Sequence, residues 1–106
     1  MNLWVDDLRS APDGWLLATT ASEAIALLRQ GNIQHLSLDH DLGEPASIVG
    51  SGYQVAIWLE EQAHTENWAV IPDRISIHSA NPVGRQNMRA AIDAIDRLRR
   101  RLPSVR

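Results

Sequence analysis

Two adjacent aspartates, Asp6 and Asp7, follow the short apolar run Leu3-Trp4-Val5. A second run, Leu36-Ser37-Leu38, ends in Asp39-His40-Asp41, and a third, Ile75-Ser76-Ile77, ends in His78-Ser79-Ala80-Asn81. Short apolar runs with abrupt polar ends read as buried strands. In open α/β sheets, ligands bind outside the carboxyl ends of such strands. Four carboxylates gathered there repel one another at neutral pH unless a cation compensates, and hard oxygen ligands favour Mg²⁺ or Mn²⁺. A single aspartate after a strand often does no more than cap a turn. Three strand ends carrying the same residue types favour a shared site. His40 and His78 sit at matching strand ends, and an imidazole titrating near neutrality suits general acid–base work. Phosphate contact, metal ligation and a purely structural role are the other uses open to them. His35 and His64 look incidental. Asn81-Pro82-Val83-Gly84-Arg85 opens a helix on the same edge, where the first amides and Arg85 offer an anion site. An ordinary helix cap is the alternative, and Ser79 faces the same choice between capping and binding.

The elements that would position these residues follow from local pattern. Trp15 to Thr19 reads as a further strand. The segment between it and the first strand contains Pro12 and Gly14, which leave little room for a helix. Thr20-Ala21-Ser22-Glu23 has capping-box spacing, and Ala21, Ala24, Ile25 and Leu28 share one helical face. Gly31 stops that helix. The Gly43–Gly52 stretch lacks periodicity and is expected to be a loop, either a lid over the acids or a plain connector. A helix is expected from about Tyr53 to Ala63. A last helix begins at Asn81-Pro82, with an N-cap and a proline at its first position. Its apolar stripe is Met88, Ala91, Ile92, Ile95 and Leu102. Strands alternating with helices predict a mostly parallel sheet with helices on both faces, in the order β-loop-β-α-β-α-β-α.

Composition narrows the possibilities. At 106 residues the chain suits one α/β domain spanning residues 1–106, and its formal charge of −3 is mild. The absence of cysteine removes disulfides and thiolate metal sites. No lysine is present, since all ten basic residues are arginine, so no lysine amine can act in cis. Neither a signal peptide nor a membrane span can be drawn, which makes the cytoplasm the expected location. Half of the arginines fall in the last ten residues. The run Arg97-Leu98-Arg99-Arg100-Arg101 suits a helix carboxyl end, and contact with a nucleic-acid backbone is its sharper reading. Trp4, Trp15, Trp58 and Trp68 are expected to be core or edge aromatics.

The acidic pair after the first strand, the aspartate after the third and the hydroxyl after the fourth resemble the receiver domains of two-component response regulators. That resemblance implies Asp6 and Asp7 as a Mg²⁺-holding pair, Asp39 at the phosphoacceptor position and Ser79 at the Ser/Thr switch position. The receiver's lysine has no counterpart, the fifth strand and helix are missing, and the first helix is reduced to a loop. The strings Leu3-Trp4-Val5-Asp6-Asp7-Leu8-Arg9, Ser37-Leu38-Asp39-His40-Asp41-Leu42-Gly43 and His78-Ser79-Ala80-Asn81-Pro82-Val83-Gly84 more closely resemble a divergent branch, the cyclic-phosphate processing receiver-like family.

The fold expected on these grounds is a shortened flavodoxin- or receiver-like three-layer sandwich with a four-stranded parallel sheet in the order 2-1-3-4. The expected activity is metal-assisted, hydrolytic opening of a cyclic phosphate, a 2′,3′-cyclic phosphate on RNA or a nucleotide. Asp6, Asp7 and Asp39 would hold the Mg²⁺ or Mn²⁺. His40, His78, Asp39 and Asp41 form the catalytic set, with the two histidines sharing the acid and base roles in either order. Ser79, Asn81 and Arg85 would bind phosphate. The partners expected are a nucleotide or RNA end and an RNA-processing enzyme, with no membrane. Two alternatives involve no catalysis: a degenerate receiver-type signalling module, and a phosphate-binding accessory subunit.

Overall fold

The computed structural model describes residues 1–7, 9–39, 52–79 and 82–102. Four strands, β1 (Asn2–Val5), β2 (Leu16–Ala18), β3 (His35–Leu38) and β4 (Arg74–Ile77), form one parallel sheet in the order β2-β1-β3-β4. Three helices accompany them: α1 (Ala21–Leu28), α2 (Gly52–His64) and α3 (Pro82–Arg100). A 3₁₀ turn at Trp68–Val70, which the sequence pattern did not suggest, leads into β4.

Side-chain parity divides the sheet into two unlike faces. Leu3, Val5, Leu36 and Leu38 point to one face and are fully buried. They meet Leu28 of α1, Val55 and Leu59 of α2, and Met88 and Ile95 of α3 in a single apolar core. The register aligns Trp4, Ser37 and Ser76 on the other face, with His35 and Arg74 two residues before and His78 two residues after.

Handedness explains why the helices gather on one side. From β2 to β3 and from β3 to β4 the chain steps in one direction across the sheet, so right-handed crossovers place α1 and α2 on the same face. α3 packs beside α2. From β1 to β2 the step is reversed, which sends the connection over the opposite face. That connection holds Pro12 and, at φ 84°, Gly14, and its described residues contain no helix. The sheet and its order are those expected. The third layer is the correction: among the described residues all three helices share one face, and only the β1–β2 loop crosses the other.

Local signals behave as their chemistry dictates. Thr20 caps α1, its Oγ1 accepting from Glu23 N at 3.1 Å. The Glu23 carboxylate accepts from the Thr19 hydroxyl at 2.8 Å and from Thr19 N at 3.2 Å, and these bonds hold it below the usual carboxylate range. Gly31 takes φ 78°, and a Cβ there would lie 3.2 Å from the Ala69 carbonyl oxygen. In α3, Leu98 packs on the core, whereas Leu102, expected in the stripe, lies beyond the helix end and is exposed.

Candidate functional site

The parallel ladder runs one residue past each strand end. Asp6 N donates to Ala18 O at 3.1 Å, Asp39 N to Val5 O at 2.9 Å and His78 N to Leu38 O at 3.0 Å. Register therefore sets Asp6, Asp39 and His78 side by side across β1, β3 and β4, on the face without helices. Strand neighbours lie about 4.8 Å apart, so backbone hydrogen bonding alone brings the two carboxylates close. Asp6, Asp7 and Asp39 each present an oxygen within 4.8 Å of the others.

Asp6 is almost completely buried. Its Oδ1 accepts from Arg9 N at 3.0 Å and its Oδ2 contacts His78 Nε2 at 3.0 Å. The His78 ring lies across β3: its Nδ1 meets Ser37 Oγ at 2.7 Å, and its face stacks on Trp4 with centroids 3.8 Å apart and planes 6° from parallel. Trp15 meets Trp4 edge-on, with ring centroids 5.8 Å apart. Burial pushes the His78 imidazole below the ordinary histidine range, against the opposing pull of Asp6 and Asp39. A carboxylate only accepts hydrogen bonds, so neutral His78 carries its proton on Nε2 and donates to Asp6, while Nδ1 accepts from the Ser37 hydroxyl. Arg9 ties the loop to this unit, its Nη1 donating to His78 O at 2.8 Å.

One oxygen stands apart. Asp7 Oδ1 is buried and has no hydrogen-bond partner among the described residues. A buried carboxylate oxygen without a donor is costly unless a cation serves it. Asp7 also offers a carboxylate oxygen to the cluster with Asp6 and Asp39, an all-oxygen donor set that fits a hard divalent cation.

Of the residues expected from the sequence, the structure gathers Asp6, Asp7 and Asp39 and sets His78 against Asp6. Ser79 is buried directly after His78. Arg85 lies on the exposed side of α3, lining a groove against β4. His40, Asp41, Asn81 and all of the expected Gly43–Gly52 loop except Gly52, which opens α2, lie outside the described residues. Sequence reasoning passed over Ser37, Trp4 and Arg9. Period-two parity with Asp39 and Asp6 carries the signal for Ser37 and Trp4; Arg9 has only its closeness to the acidic pair. His35, set aside as incidental, bonds Ser76 Oγ at 2.9 Å and meets the Trp15 ring.

A four-stranded parallel sheet ordered 2-1-3-4 with acids at the carboxyl ends of β1 and β3 defines a small receiver-like α/β domain. A model of the cyclic-phosphate processing receiver domain family matches residues 1–94, and the chain belongs to that family. No curated protein and no solved structure matches the chain. No described helix is long and apolar enough to cross a membrane.

Proposed function

We propose that the protein opens a cyclic phosphodiester by hydrolysis, with a divalent cation held by Asp6, Asp7 and Asp39. The orphaned Asp7 oxygen beside two further carboxylates is the observation that carries this reading. Mg²⁺ or Mn²⁺ bound there would neutralise charge on the phosphoryl oxygens. The chemistry adds one water: its oxygen bonds to phosphorus, one ribose oxygen leaves, and that oxygen takes up a proton. A 2′,3′-cyclic phosphate suits this, because the ring holds the leaving oxygen in place and releases strain on opening.

His78 serves this reading as a positioning residue, since both its ring nitrogens are engaged by Ser37 and Asp6. It fixes one Asp6 oxygen while Arg9 N fixes the other. Proton transfer is assigned to His40 with Asp41, and phosphate contact to Ser79 and Asn81, on the strength of the sequence motifs. The occupied ring of His78 also supports a second reading, a module that binds a cyclic phosphate end without opening it.

The test is incubation of chelator-treated protein with 2′,3′-cyclic nucleotides, with and without Mg²⁺ or Mn²⁺, followed by chromatography of the products. The expected result is a metal-dependent monoester product that Asp39→Asn abolishes and His40→Ala reduces roughly a hundredfold or more. Metal-dependent binding with no monoester formed would replace hydrolysis by the binding reading.

A further inference from the structure

Charge is unevenly distributed along this chain. Residues 82–102 hold six arginines against two aspartates, a net of +4, while the rest of the chain carries −7. Part of that positive charge lines a groove of about 520 Å³ between α3 and β4, which is an edge strand among the described residues. Ile77, the residue before His78, lines it from the sheet side; Pro82, Arg85, Gln86, Arg89, Ala90 and Asp93 line it from α3, so two guanidiniums face one carboxylate. Arg85 and Arg89 stand one helical turn apart, about 6 Å along the axis. Both are exposed.

We propose that this groove binds the phosphate backbone of a single RNA strand whose 3′ end reaches the acidic site. The substrate is then the end of an oligonucleotide rather than a free nucleotide. The inference rests on the cyclic-phosphate reading for what lies at that end, and on the groove for what lies upstream of it. Charge complementarity selects the occupant. A polyanion is repelled by the acidic remainder of the chain and finds guanidinium forks along α3, which suit phosphate oxygens. Gln86 adds an amide able to pair with ribose or base edges. The groove reaches Ile77, the last residue of β4, and so meets the carboxyl edge of the sheet, the edge that carries the acids. A 2′,3′-cyclic phosphate requires a ribose, which makes the strand RNA. Arg85, expected from sequence to hold the reacting phosphate, here takes an upstream one together with Arg89.

The test measures anisotropy of a labelled single-stranded RNA ending in a plain 3′ hydroxyl, over a range of salt concentrations. The proteins are wild type, Arg89→Gln and Ala90→Trp, the last placing an indole in the groove. A parallel arm follows the thermal shift given by a 2′,3′-cyclic mononucleotide with Mn²⁺. Arg89→Gln is expected to weaken RNA binding roughly tenfold and to flatten the slope of log affinity against log salt by ~0.7, the share of one phosphate. Ala90→Trp is expected to weaken it at least as much, with the mononucleotide shift unchanged in both variants. RNA affinity equal in all three proteins overturns the proposal, as does an acidic peptide of similar length competing as well as the RNA. A silent mononucleotide arm beside the expected RNA losses would instead remove the cyclic-phosphate reading and leave the groove as an RNA site.

Discussion

Replacing Asp7 with asparagine separates the electrostatics of the acidic site from its hydrogen bonding. Asp7 Oδ1 has no donor among the described residues, so an amide at that position gives up no hydrogen bond to that oxygen. What changes is charge. One oxygen from each of the three carboxylates lies within 4.8 Å of the others, and unit charges at about that separation repel by about 3 kcal/mol at an effective dielectric constant near 20. Asp7 and Asp39 are each partly exposed, and solvent screening reduces the relief on mutation to about 1 kcal/mol. For a domain of this size that corresponds to a rise of roughly 4–8 °C in Tm for the metal-free protein. The wild type is expected to behave oppositely toward metal. A cation at a hundredfold excess over its Kd stabilises the folded state by about 2.7 kcal/mol, a Tm shift on the order of 10 °C. Calorimetry of chelator-treated protein, with and without Mg²⁺ or Mn²⁺, gives both quantities. The expected pattern is a variant that starts higher and no longer responds. High salt should shrink the metal-free difference, because it screens the repulsion. A metal response equal to wild type, or a metal-free variant less stable than wild type, would refute the reasoning.

The remaining predictions concern the two histidines of the helix-free face. His78→Ala removes the donor to Asp6 Oδ2, the acceptor for Ser37 and the ring stacked on Trp4, so urea unfolding should show a loss of about 2–3 kcal/mol. Affinity for the cation proposed at Asp6, Asp7 and Asp39 should weaken by roughly ten- to a hundredfold, read by titration; an unchanged cation affinity would remove the positioning role. Burial, followed by the charge of Arg74, holds His35 below its ordinary value of 6.5. The unfolded chain therefore binds more protons than the native one near and below that value, and stability should fall as pH drops through about 6.5. His35→Gln should flatten this fall in part, read as the urea midpoint between pH 7.5 and 5; an identical pH dependence in the variant would contradict the assignment.

Local chemistry was enough to place most elements and the acidic strand ends. The apolar triplets ending in Asp6, Asp39 and His78 marked three strands. Thr20 with Glu23 marked the start of α1, and Pro82 the start of α3, because each signal acts within one turn of backbone. The acidic cluster was legible for a related reason: in a parallel sheet, residues that end neighbouring strands must be neighbours in space. The distribution of helices was not legible in that way. Alternation of strands and helices suggested cover on both faces, but the direction of each crossover depends on strand order, which is a property of the assembled sheet. Nor could sequence spacing show that the His78 ring spans β3 to reach Asp6. That contact joins residues 72 positions apart, and it depends on a rotamer selected by the Trp4 face on one side and the Ser37 hydroxyl on the other. Arg85 makes the same point at the flank. Its place in the first turn of the last helix suggested phosphate contact, and only the packed structure shows that it also lines a groove with Ile77 of β4. Proximity along the chain determines what a backbone segment can become, while the direction of a side chain is decided by the elements packed around it.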